Sequence, residues 1–121
     1  MIPNVLVCDD SAMARKMLIK ALPDGWADNV SQASNGLEAV SRCREQQPDV
    51  VFLDLTMPEF DGFQVLETLQ HEGITPAVFV VSADIQPLAQ ERVMSLGARA
   101  FVRKPVKPEE LQSALREQGL L

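Results

Sequence analysis

Four short apolar runs in this chain each end in residues capable of chemistry. Val5-Leu6-Val7-Cys8 runs into Asp9-Asp10, and Val50-Val51-Phe52-Leu53 into Asp54. Val78-Phe79-Val80-Val81 runs into Ser82, and Ala100-Phe101-Val102-Arg103 into Lys104-Pro105. Short, continuously apolar, valine-rich runs predict strands covered on both faces. Between the runs the pattern takes on the helical period. Ala14, Met17, Leu18, Ala21 and Leu22 predict a helix from Ala12 to about Leu22, stopped by Pro23-Asp24-Gly25. A weaker strand is expected over Asn29 to Ala33. Asn35-Gly36 then turns into a helix from Leu37 to about Glu45, with Val40 and Cys43 inward, ended by Gln47-Pro48.

After the strand at Val50 to Leu53, a loop from Leu55 to Asp61 leads to a helix over Gly62 to His71, with Val65, Leu66 and Leu69 on one side. A fourth strand covers Ala77 to Val81. Pro87 opens a helix to about Leu96, capped by Gly97. The last strand covers Arg99 to Val102, and Pro108 opens a final helix burying Leu111, Ala114 and Leu115. Strict alternation of this kind is (βα)5, an α/β doubly wound, three-layer fold on a five-stranded parallel sheet. Two strand orders suit its size. The flavodoxin-like order 2-1-3-4-5 puts the switch point between strands 1 and 3, the two that end in aspartate, and is preferred.

Composition agrees. A chain of 121 residues suffices for one domain with a core and is short for two, so residues 1–121 are taken as one domain. Its 46% hydrophobic content excludes a disordered class. No apolar stretch approaches membrane-spanning length, and Met1-Ile2-Pro3-Asn4 lacks a secretion signal's basic start and apolar core. No membrane insertion and a cytoplasmic location are therefore expected. Cys8 and Cys43 form no metal or redox motif and read as small buried hydrophobes in a reducing compartment.

The net charge of -6 speaks against direct nucleic-acid binding. The charge is uneven. Between Ala89 and Leu121 stand six basic residues (Arg92, Arg99, Arg103, Lys104, Lys107, Arg116) against four acidic, and elsewhere five against thirteen. For any single residue this is an ordinary solvated face. Collectively it suggests a partner surface near the C-terminus.

If the strand ends share one sheet edge, three carboxylates, a hydroxyl and an ammonium face a common crevice. Clustered carboxylates repel, so some take up protons or a cation joins them. Magnesium accepts one or two carboxylates, keeps several waters and recruits phosphate oxygens. A carboxylate can also act as a nucleophile and form an aspartyl phosphate. Phosphoryl transfer asks the protein chiefly for positioning and charge neutralisation, which a lysine and a divalent ion would supply.

Over essentially its whole length the chain resembles the receiver domains of bacterial response regulators. The resemblance rests on Asp9-Asp10, Asp54, Met57-Pro58, Asp61-Gly62, Ser82-Ala83 and Lys104-Pro105 in order at strand ends and in the intervening loop. Gln32-Ala33-Ser34-Asn35-Gly36-Leu37-Glu38-Ala39 also looks like the family's second strand and helix start. It implies that Asp54 is the phosphoacceptor, attacking the phosphohistidine of a sensor histidine kinase or phosphotransfer protein. Asp10, Asp54 and the backbone carbonyl of Thr56 would ligate magnesium, for which manganese can substitute, with Asp9 holding a metal-bound water. Lys104 would pair with the phosphoryl oxygens, and Ser82 would swing to hydrogen-bond them. Phe101 would change rotamer as Ser82 moves. Thr56 and Asp84, two residues beyond Asp54 and Ser82, would line the site mouth and tune phosphoryl lifetime. A cis Lys104-Pro105 bond is implied too.

Two positions differ from the best-known members: the serine/threonine position holds Ser82, which conserves the hydroxyl, and the switch aromatic is Phe101. Phe101 stands where they carry tyrosine, and this chain has no tyrosine. Phenylalanine can fill or vacate a pocket but makes no hydroxyl hydrogen bond.

The simpler reading of each motif is structural: Asp9-Asp10 as a helix cap, Lys104 as a surface lysine, Phe101 as core, Trp26 as partly buried against a helix end. Their concurrence favours the phosphorylation switch. It would catalyse its own phosphorylation and dephosphorylation without multiple turnover. Its face of helix 4, strand 5 and helix 5 would change affinity for a downstream protein target or a fused output domain. An aspartyl-phosphate phosphatase or phosphotransferase is the second reading. Haloacid-dehalogenase-like phosphatases need an aspartate two residues after the nucleophile, and here that residue is Thr56. A phosphorylation-independent binding module is the third, disfavoured by the complete set Asp9, Asp10, Asp54, Ser82 and Lys104. A stand-alone regulator and a receiver within a longer protein fit equally well.

Overall fold

A computed structural model describes residues 2–83 and 86–121. The strands are β1 (Asn4–Cys8), β2 (Asn29–Ala33), β3 (Val50–Asp54), β4 (Ala77–Ser82) and β5 (Ala100–Arg103). The helices are α1 (Ala12–Ala21), α2 (Gly36–Gln46), α3 (Gly62–Glu72), α4 (Pro87–Ser95) and α5 (Pro108–Glu117). All strand pairs are parallel, and the sheet order is β2-β1-β3-β4-β5. The fold class and strand order expected from the sequence are those observed. Boundaries differ by a residue or so, because Asp54, Ser82 and Arg103 still take part in the ladder before the chain turns away.

Alternation along each strand splits the core in two. Val5, Val7, Val50, Phe52, Phe79 and Val81 pack under α1 and α5, joined by Leu18, Leu111 and Leu115. Leu6, Cys8, Val51, Leu53, Val78 and Val80 pack under α2, α3 and α4, joined by Val40, Cys43, Val65, Leu69 and Val93. Every residue of β3 and β4 is buried, which is why both read as unbroken apolar runs. β2, at the sheet edge, is buried only at Ala33, and its sequence pattern is correspondingly weaker.

Helix starts follow the sequence. Ser11 caps α1 by accepting from the Ala14 N–H, and Asn35 caps α2 through the Glu38 N–H. Asp61 and Gln64 form a capping box on α3. Pro87 and Pro108 open α4 and α5. Trp26 is buried rather than half-buried. Its ring meets Phe52 edge-on at 6.5 Å, and its Nε1–H donates to the Leu120 carbonyl at 2.7 Å, tying the chain's last residues to the α1–β2 turn. Among the described residues no helix is long and apolar enough to cross a membrane.

Candidate functional site

β1 and β3 are neighbours whose following helices cover opposite faces of the sheet, so their carboxyl ends open a crevice between α1 and α3. Asp9 and Asp10 lie at the β1 end and Asp54 is the last residue of β3. One carboxylate oxygen from each lies within 4.8 Å of the others. Asp9 and Asp54 are buried, at 6% and 4% exposure, whereas Asp10 faces solvent.

Asp9 is fixed at every polar atom. Its N–H donates to Ala33 O at 3.1 Å, and its carbonyl accepts from Arg15 Nη1 at 2.6 Å. Its Oδ1 accepts the Ser11 N–H at 2.9 Å, and its Oδ2 accepts from Lys104 Nζ at 2.7 Å. Lys104 also lies 3.4 Å from Asp54 Oδ1. The peptide bond after Lys104 is cis, as the resemblance implied.

One ammonium therefore contacts two of the three carboxylates, Asp9 and Asp54. Burial, then repulsion from Asp9, raises the Asp54 pKa above the ordinary carboxylate value, against the opposing pull of Lys104 and the Thr56 N–H. Burial alone would lower the Lys104 pKa. Its hydrogen bond to Asp9 and its attraction to Asp54 and Asp9 outweigh this and raise it, so the ammonium stays charged. A cluster of hard oxygen donors with this surplus of negative charge fits a magnesium-like cation.

Ser82 ends β4 wholly buried, and its carbonyl accepts the Lys104 N–H at 3.0 Å, so the β4 and β5 ends meet at the site. Thr56 follows β3 with an exposed side chain. Phe101 is half-buried on β5, opposite Val80, against the core under α4. The crevice thus gathers Asp9, Asp10, Asp54 and Lys104, with Ser82 and Thr56 at its adjoining loop ends and Phe101 further along β5. Asp84 lies outside the described residues.

Three features were not anticipated. Arg15 donates from Nη1 to the Asp9 carbonyl and from Nε to Gln32 Oε1 at 2.8 Å, bracing the acid pair from α1 and β2. Its only signal was a basic residue one turn into the helix after the acids. Met17, assigned to the buried stripe of α1, is 50% exposed. It borders an apolar cavity of about 390 Å³ that Leu18, Phe52, Val81 and Pro105 also line, ending at Asp9 and Lys104. The helix faces this cavity where it would otherwise meet the sheet. Third, Gly62 packs so closely on the β3 end that a Cβ there would lie 2.6 Å from the Asp54 carbonyl oxygen. Both cysteines are free and buried, and burial pushes the Cys43 thiol up to about 11, as inert core residues require.

A family model described as the response regulator receiver domain matches residues 5–116. The chain is 34% identical over 114 residues to a chemotaxis protein CheY of Listeria monocytogenes, covering 94% of this chain and 96% of that protein. It is 41% identical over 111 residues to a protein-glutamate methylesterase/protein-glutamine glutaminase of Koribacter versatilis, covering 89% of this chain but only 30% of that protein. Among solved structures, chemotaxis protein CheY4 of Vibrio cholerae superposes with a TM-score of 0.86 at 25% identity, covering 97% of this chain and 98% of that one. The receiver domain of Francisella response regulator 1452 gives 0.82 at 28%, covering 98% and 95%.

Proposed function

The chain belongs to the response regulator receiver domain family, and from that premise we propose that residues 1–121 act as a magnesium-dependent phosphoryl acceptor controlling a protein interaction. The observation that carries the reading is the cluster of three carboxylates at adjacent strand ends, two of which, Asp9 and Asp54, share one ammonium. Asp54 is the nucleophile. Its carboxylate oxygen forms a bond to the phosphorus of a phosphohistidine on a histidine kinase or phosphotransfer protein. The P–N bond breaks, and the imidazole leaves with its electron pair and takes up a proton.

Asp10, Asp54 and the Thr56 carbonyl would hold magnesium, with Asp9 assisting through water; manganese would substitute. Bound there, the ion supplies charge neutralisation at the transferring phosphoryl oxygens. Lys104 exchanges its carboxylate partners for a phosphoryl oxygen and supplies the other counter-charge. Asp9, bonded at all four polar atoms, keeps Lys104 aimed at the site. Ser82 turns its hydroxyl to the phosphoryl group, and Phe101 repacks beside Val80, shifting the α4–β5–α5 face between two pre-existing states.

The chain is proposed as a stoichiometric acceptor rather than a multiple-turnover enzyme, because Thr56 occupies the position where an aspartyl phosphatase carries its acid. A cytoplasmic location accompanies this reading. The methylesterase relative carries its named activity in a protein of which this chain spans about a third. Incubation with acetyl phosphate and magnesium should add one phosphoryl group by intact mass, and Asp54→Asn should abolish the addition. Equal uptake by Asp54→Asn would remove Asp54 as the acceptor.

A further inference from the structure

Phe101, Ser113, Ala114 and three glutamates, Glu109, Glu110 and Glu117, line a shallow groove of about 440 Å³ between β5 and α5. Phe101 and Ala114 are half-buried and form an apolar floor, while the glutamates are exposed. On α5, Glu109, Ser113 and Glu117 form one row and Glu110, Ala114 and Glu117 another, spaced by three or four along one side of the helix. None of the three carboxylates is in an ion pair among the described residues. Glu109 and Glu110 complement the positive end of the helix dipole, a local reason for their presence. Glu117 has no such reason, since it stands in the last turn, where the dipole disfavours an acid.

None of the basic residues of this segment lines the groove. Arg92 turns to α3, pairing with Glu67 at 3.1 Å and stacking 4.2 Å over Phe63. Lys104 is in the acid cluster. Arg103, Lys104, Pro105 and Lys107 line a neighbouring depression that Glu110 also borders, so Glu110 stands between the two while Glu109 and Glu117 face the groove alone. The basic partner surface suggested by counting along the chain is therefore acidic beside Phe101, because a tally along sequence does not respect helix faces.

We propose that this groove binds a positively charged amphipathic peptide segment of the downstream partner. An apolar side chain of that segment would rest on Phe101 and Ala114, with lysines or arginines against Glu109, Glu110 and Glu117. This rests on the phosphorylation-switch reading and names the partner's chemistry. The apolar floor supplies area removed from water. Docking an acidic or neutral segment would desolvate the rim carboxylates without compensation, and like charge on both sides suppresses the wrong partner. Phe101 offers no hydroxyl, so the charged rim carries the discrimination. Phe101 is also the residue proposed to repack on phosphorylation, so the floor changes shape with the state of Asp54.

The test uses two synthetic peptides of equal length, leucine with lysine at helical spacing and leucine with glutamate. Binding is read by calorimetry and amide NMR shifts, with and without acetyl phosphate and magnesium, at low and high salt. The leucine/lysine peptide should bind, with shifts centred on Phe101, Ser113 and Ala114 and weakening in high salt. Glu109→Gln/Glu117→Gln should lose about tenfold in affinity. Asp28→Asn/Glu45→Gln, which removes the same charge on the β2 and α2 side, should lose little. Equal binding of the leucine/glutamate peptide, an equal loss in the control variant, or shifts outside the groove would overturn the proposal. Intact mass on the same samples separates the two readings. Groove binding without phosphoryl uptake would leave the partner chemistry standing and sink the switch, whereas uptake with neither peptide bound would do the reverse.

Discussion

Asp54 ends a strand buried along its whole length, and its carboxylate shares the crevice with Asp9 and a single ammonium. Its pKa is raised first by burial and then by Asp9, so the folded metal-free protein holds the Asp54 proton more tightly than the unfolded chain does. The sign follows. At pH 7 the ionised group opposes folding, and that penalty fades as pH falls through the raised folded-state pKa towards the ordinary value of 3.8. Asp54→Asn should therefore melt higher than wild type in EDTA at pH 7, each kcal/mol of relief being worth roughly 4 °C in a domain of this size. The advantage should shrink as the pH is lowered towards 4. An Asn variant that melts lower at pH 7 would mean that the lost Lys104 contact outweighs the repulsion. The proposed phosphoacceptor is thus one that the apo fold tolerates rather than needs. Asp9 is different, because its backbone and carboxylate both take part in the local hydrogen bonding and its loss would loosen the β1–α1 turn.

Gly62 shows how an element positions Asp54, the proposed nucleophile. It is the first residue of α3, and a Cβ on it would fall 2.6 Å from the Asp54 carbonyl oxygen and 2.8 Å from Leu55 Cα, both backbone atoms that cannot swing aside. Gly62→Ala should cost about 1–3 kcal/mol, read as a lower denaturant midpoint. Because the displaced atoms carry Asp54, phosphoryl uptake should slow in parallel. Normal uptake in a destabilised variant would separate packing from positioning. The motif Asp61-Gly62 was legible in the sequence, but the reason for the glycine was not, since a contact between a helix start and a strand end leaves no periodic trace. The same limit hid the Arg15 brace, because a long side chain six residues from its acceptor can point many ways. The pair Asp9-Asp10, Asp54 and Lys104 were legible because each follows or ends an apolar run, and the end of a parallel strand is a fixed place. Met17 was misassigned because helical spacing gives a direction towards the sheet but not whether the sheet side is filled. At the cavity beside Asp9 it is not.

The whole molecule couples folding to the acid cluster. Strand order was readable because alternation of strand and helix leaves few topologies, and the aspartates mark the switch point. How charge falls on faces was not, and the groove beside Phe101 is acidic where the count along the chain was basic. If magnesium binds as proposed, the same geometry would make it a folding ligand. Two strands, β1 and β3, must be in register to bring Asp9, Asp10 and Asp54 within 4.8 Å, and the unfolded chain has no comparable site. A ligand bound only by the folded state stabilises it by RT ln(1 + [L]/Kd), about 2.7 kcal/mol at a hundredfold excess over Kd, or roughly 10 °C here. Melting temperature should rise with the logarithm of magnesium concentration and fall back with EDTA. Potassium chloride at matched ionic strength should not reproduce the slope, which separates site binding from screening of the net charge of -6. Asp10 is the decisive variant. It is exposed, unlike Asp9 and Asp54, so Asp10→Asn should change metal-free stability little while flattening the magnesium dependence. If the Asp10→Asn melting temperature climbed with magnesium as steeply as wild type, the ion would be held without Asp10. The ion's side-chain ligands would then have to come from the two buried carboxylates, Asp9 and Asp54, alone.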